Sequence, residues 1–126
     1  MPEHMTANDR PLVYLACPYS HPDGAVRERR FHAVNRAAAR LMSQGMMIFS
    51  PISHTHPIAV DGKLQTGWDF WERYDRICIS CCHEMIVLCL DGWKESVGVQ
   101  DEIGIAKELG IPVRFVVPED YEETAQ

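Results

Sequence analysis

Two carboxylates sit where a helix should be apolar. Stepping about 100° per residue along residues 68–82, the polar residues Asp69, Glu72, Arg73, Arg76 and Ser80 fall on one arc. Trp68, Phe70, Trp71, Tyr74, Ile77, Cys78, Cys81 and Cys82 occupy the other, and Asp75 falls among them as the only charge. The same projection of the last helical pattern puts Glu102 between Leu109 and Ala106, on the side of Val99 and Ile103 and away from Gln100, Asp101, Lys107 and Glu108. A desolvated carboxylate is costly unless it is paired or hydrogen-bonded. One such residue is as readily a structural carboxylate bonded to backbone or to an arginine. Two in a chain of 126 residues point to a site, because active sites are where local rules are broken.

The first helical pattern, from about Ala25 to Ser43, carries a third anomaly. Arg27 and Arg30 project onto the apolar arc with Val26, Phe31, Val34, Ala38 and Leu41, while Glu28, Arg29, His32 and Arg36 face away. Both arginines lie in the first turns, where a helix already favours an anion. The alternative is that apolar stems are buried while the charged heads reach solvent.

The elements that must position these residues alternate. Leu12–Ala16 reads as a buried strand, Met46–Ser50 as a second, Met85–Leu90 as a third and Val113–Val117 as a fourth. Gly45 lies just past the first helix, where a C-terminal cap is expected. The last helix runs from near Ser96 to Gly110, with Pro112 beyond it. Residues 51–67, with two prolines and two glycines, read as a long functional loop, and the acidic tail from Pro118 is expected to fray. The pattern is βαβ-loop-αβαβ in a single domain with flexible ends at 1–10 and 119–126. It predicts an α/β fold, a three-layer doubly wound parallel sheet of four or five strands, flavodoxin- or Rossmann-like. Ligands of such sheets bind beyond the carboxyl ends of the strands. Here those ends lead into 17–24, 51–67 and 91–98.

Bulk composition narrows the partners. A net charge of −6 argues against a nucleic-acid backbone as partner. It leaves room for a single nucleotide met by a local cluster. No apolar run approaches a membrane span, and residues 1–10 are polar, without a secretory apolar core. Five cysteines, an odd number, read as reduced thiols of a cytoplasmic protein. A zinc site from His54, His56, Cys78, Cys81, Cys82 and His83 has one CxxC step, Cys78 to Cys81, but neither a second such pair nor an HExxH spacing, and the cysteines read more simply as buried thiols. No metal or cofactor is expected. Cys17 after the first strand invites a phosphatase comparison, but no arginine follows at the spacing of a phosphate-binding loop.

The segments Val13-Tyr14-Leu15-Ala16-Cys17-Pro18-Tyr19 and Ser96-Val97-Gly98-Val99-Gln100-Asp101-Glu102-Ile103-Gly104-Ile105-Ala106, with Asp75 in a helix between them, resemble the nucleoside 2-deoxyribosyltransferase superfamily. The likeness runs from about Leu12 to Val117. It implies that Glu102 is a nucleophile toward an anomeric carbon, that Tyr14 orients it and that Asp75 assists departure of the base. Where the transferases carry an aspartate for a free 5′-hydroxyl, this chain has Ser96, as the resembling 2′-deoxynucleoside 5′-phosphate N-hydrolases do. A hydroxyl and backbone amides at a helix start suit a phosphate; a plain N-cap is the simpler role for the same serine. The expected substrate is therefore a nucleoside 5′-monophosphate. Its phosphate would be held by Ser96, Gly98, Ser20 and Arg27 or Arg30, and its base would lie against Trp68, Trp71 or the loop carrying His54 and His56. The resemblance also implies a homodimer or homotetramer. Gln100 departs from the motif by replacing a glycine, and residues 50–71 have no counterpart in the characterised enzymes. The competing expectation is a non-catalytic module that binds a nucleotide or nucleotide-sugar.

Overall fold

The computed structural model describes residues 10–121. Four parallel strands, β1 (Leu12–Ala16), β2 (Met47–Phe49), β3 (Glu84–Leu88) and β4 (Val113–Val116), form one sheet in the order β2-β1-β3-β4. Helices α1 (Gly24–Ser43), α2 (Pro51–Gly62), α3 (Trp68–Ser80) and α4 (Val97–Glu108) make the crossovers. The expected α/β class and all-parallel sheet are observed, with four strands.

Strand side chains alternate between faces, and this alternation builds two cores. Val13, Leu15, Ile86 and Leu88 meet Val34, Ala37, Ala38 and Leu41 of α1 on one face. Tyr14, Ala16, Met85 and Val87 meet Ile79 of α3 and Val99, Ile103 and Ala106 of α4 on the other. The sheet is thus covered on both sides, which explains why its central strands read as continuous apolar runs.

Three expectations are corrected. Residues 51–62 are not loop but helix α2. Pro51 stands in the first turn, where a missing N–H costs no helical bond, and Lys63 ends the helix at φ 56° in the left-handed region. Pro57 lies inside α2, so the helix forms despite one forfeited backbone bond. Only Lys63–Gly67 remains as linker, and it is tied down. The Ser20 hydroxyl donates to the Thr66 carbonyl, and the Trp71 indole donates to the Gln65 carbonyl at 2.8 Å.

The second correction concerns α3. Its buried residues are Asp75 and Ile79, while Phe70, Tyr74 and Ile77, expected on the inward arc, are exposed. The helix meets the sheet and α4 along a narrow seam, and its aromatic flank lies outside that contact. The third is at the carboxyl end. Pro118–Asp120 form a 3-10 turn and Tyr121 packs against the α1-side core. The expected flexible ends fall largely at residues 1–9 and 122–126, outside the described residues.

Candidate active site

A cavity of about 310 Å³ opens at the carboxyl edge of the sheet. The connections after β1, β2 and β3 all contribute to its wall: Cys17, Tyr19 and Ser20 from the first, Pro51, Ile52 and Thr55 of α2 from the second, Glu95 and Ser96 from the third. The strand order places β1 between β2 and β3, so successive connections leave β1 and β3 in opposite directions and a crevice forms between them.

Glu102 and Asp75 both line this cavity, at 5% and 8% exposure. Helical phase puts them there: α4 turns Glu102 inward with Val99 and Ile103, and α3 turns Asp75 inward with Ile79. Tyr14, fully buried on β1, donates its hydroxyl to Glu102 Oε2 at 2.5 Å. Among the described residues no hydrogen bond is made by the Asp75 carboxyl.

The electrostatics follow from that burial. Loss of water raises Glu102 to about 8; the charge of Asp75 adds to the rise, and the Tyr14 hydroxyl opposes it. Burial alone raises Asp75 to about 7. Burial also holds the Tyr14 phenol well above its ordinary value, and the neighbouring Glu102 charge reinforces this. Burial therefore lifts both carboxyls together and does not part them, because they face one desolvated space. Near neutral pH the pair retains at least one proton and titrates as a unit. The Tyr14 bond favours charge on Glu102, and nothing comparable favours it on Asp75. The pair thus shares at least one proton between two carboxyls, one of them held by the Tyr14 hydroxyl.

The α4 terminus supplies the opposite character. Ser96 caps the helix, its Oγ accepting from the Val99 amide at 3.1 Å. As the first residues of the helix, Val97 and Gly98 have no carbonyl within it to bond. Both line the cavity with Ser96. The Trp68 ring packs against Gly98, at 3.4 Å from where a Cβ would stand. Among the described residues the indole N–H of Trp68 is buried without a partner. The helix start suits an anion, while the Glu95 carboxyl lines the same stretch of wall.

Of the residues expected to form a site, Glu102, Asp75, Ser96, Gly98, Ser20 and Trp71 share the cavity wall, with Tyr14 directly behind Glu102. Arg30 does not line it. Its guanidinium bonds the carbonyls of Ser20 and Asp91, both at 3.1 Å, clasping the connections after β1 and β3. Arg27 bonds the His21 carbonyl and borders a neighbouring depression. His54 lies in a separate shallow groove with Asn35, Met42 and Tyr74. Tyr19, Thr55 and Glu95 join the wall without having been singled out in the sequence. Tyr19 offered one signal, its place just after the carboxyl end of β1.

Residues 11–117 match a family described as a domain of unknown function, DUF1937. The chain belongs to this family. The DUF1937 match covers every element from β1 to β4 and so contains the whole cavity. Among curated proteins none matches this chain.

Proposed function

We propose that this DUF1937 protein cleaves or transfers the N-glycosidic bond of a nucleoside 5′-monophosphate through Glu102, as the resemblance to nucleoside 2-deoxyribosyltransferases implies. The observation that carries this reading is the buried Tyr14–Glu102 hydrogen bond at 2.5 Å beside Asp75, within one cavity. Protonated Asp75 gives its hydrogen to the departing base as the C1′–N bond breaks. The ionised Glu102 forms a C1′–O ester. Water, giving a proton back to Asp75, then breaks the ester and releases the sugar phosphate; a second base at the same step would make the reaction a transfer. Ser96 and the first amides of α4 hold the phosphate, and the walls from α2 and α3 face the base.

In this reading the protein is cytoplasmic and works as a homodimer or homotetramer on a small-molecule nucleotide. No described helix is long and apolar enough to cross a membrane.

A second reading, a nucleotide- or nucleotide-sugar-binding module, draws on the rise of Glu102 to about 8, since a protonated carboxyl is no nucleophile. Release of free base from a panel of nucleoside 5′-monophosphates separates the two. The catalytic reading expects Glu102→Gln to lower turnover at least about 10³-fold while ligand binding persists. Tight binding with no base release by the wild type would favour the module.

A further inference from the structure

The hydroxyl hydrogens on the α2 side of the cavity already have destinations inside the protein. Ser20 Oγ donates to the Thr66 carbonyl, and Thr55 Oγ1 donates to the Pro51 carbonyl at 2.9 Å. A hydroxyl has one hydrogen to give. Both oxygens therefore offer only lone pairs to a ligand.

Tyr19 is the most constrained of the three. Its hydroxyl lies 2.6 Å from Nδ1 of His56, and Nε2 of His56 lies 2.8 Å from Oε2 of Glu28. His56 is 5% exposed and its ring stacks on Phe31 with centroids 4.2 Å apart, so it cannot swing away. The Glu28 side chain is 53% exposed, and its bond to His56 holds its carboxyl below the ordinary value. Glu28 is therefore an anion that can only accept. Nε2 must carry a hydrogen, and in the tautomer whose one ring hydrogen sits there Nδ1 is a bare acceptor. Burial pushes the Tyr19 phenol upward, against the charge and hydrogen bond of Arg27, so Tyr19 keeps its hydrogen and in that tautomer gives it to Nδ1. An exposed carboxylate on α1 thus fixes, through a buried histidine on α2, the direction of a hydrogen bond at the cavity wall.

We propose that Tyr19, oriented by His56 and Glu28, selects ligands that present a hydrogen-bond donor to the α2 side of the cavity. The proposal rests on the nucleotide reading above and deepens it. Donors at the Ser96 end face the phosphate; acceptors at Tyr19, Ser20 and Thr55 face an N–H or O–H. In a nucleotide that hydrogen belongs to an amino group of the base or to a hydroxyl of the sugar. Tyr19 is the ligand-contacting residue, and His56 and Glu28 are positioning residues.

Calorimetric binding of four nucleotides at pH 8, in a Glu102→Gln background that prevents turnover, tests this. AMP is compared with purine riboside 5′-monophosphate, which lacks the amino group, and with dAMP and 2′,3′-dideoxyadenosine 5′-monophosphate, which lack sugar hydroxyls. Removing the recognised donor is expected to weaken binding about tenfold, and the ligand that suffers identifies its source. Tyr19→Phe should reduce that discrimination to less than about twofold. Glu28→Ala frees His56 to carry its hydrogen on Nδ1, which turns Tyr19 into a donor and should erode the discrimination as well. Glu28→Gln, whose amide oxygen still accepts from Nε2, should restore it. Discrimination unchanged in Tyr19→Phe and Glu28→Ala, equal weakening of all four nucleotides, or no preference in the parent protein would each overturn the proposal and leave the nucleotide reading standing. Failure of all four, and of CMP, GMP and UMP run alongside them, to bind would overturn both.

Discussion

Asp75 and Glu102 are placed against the solvation preference of their own side chains, and that conflict has a measurable consequence. Their pKa values stand at about 7 and about 8 in the folded protein, above those of free carboxyls. As pH rises from about 4, the unfolded chain releases these protons while the folded chain keeps them, so stability falls until the folded values are passed. The penalty is complete above about pH 8. Asp75→Asn removes one share of it. Thermal melts should show the variant gaining on the wild type as pH rises from about 4 to about 7, with a Tm higher by several degrees at pH 8.5. A constant difference across that range would mean that Asp75 is not desolvated as described. The conflict was also what made these residues legible in the sequence: helical period alone marked both as inward-facing. Tyr19 and His56 had no such mark. They are 37 positions apart, meet only through the packing of α2 on the β1–α1 connection, and break no local rule.

At the scale of elements, α4 serves the site through its first turn. Ser96 combines a capping role, seen in its bond from the Val99 amide, with a place on the cavity wall. Substitutions can pull the two apart. Ser96→Ala should lose the cap, at a cost of about 1 kcal/mol in stability. Ser96→Asp should cap as well as serine and keep the Tm within about a degree, yet weaken binding of a nucleoside 5′-monophosphate about tenfold or more relative to the free nucleoside. Parallel losses for both ligands would remove the phosphate from this end of the cavity. Capping signals, glycine stops and alternating apolar runs made β1, α1, β3, α4 and β4 readable. Helix α2 was not, because Pro51 and Pro57 read as breakers. Pro51 occupies the one helical position that needs no N–H, and Pro57 is tolerated inside the helix. The inward face of α3 was misjudged for a different reason: an apolar arc shows what could be buried, not how wide a contact the neighbours offer.

At the scale of the molecule, the order β2-β1-β3-β4 gathers three connections at one edge of the sheet, and the cavity is their meeting point. Periodicity predicted parallel strands covered on both faces and put residues 51–67 at the ligand edge, but the strand order and the helical form of that wall emerge only from tertiary packing. In the proposed reading that packing gives the cavity two ends of opposite hydrogen-bonding character, with the carboxylate pair also on its wall. Such an arrangement would fit a ligand with an anion at one end and donors at the other. In the proposed reaction Glu102 supplies the oxygen that bonds C1′ of the sugar. Rapid acid quench of the wild-type protein during turnover of a cleaved nucleotide, followed by peptide mass analysis, tests this directly. The peptide containing Glu102 should gain the mass of the sugar phosphate as an ester and lose it on further incubation. Steady release of free base with the Glu102 peptide unmodified at every quench time, and undiminished release by Glu102→Gln, would contradict it.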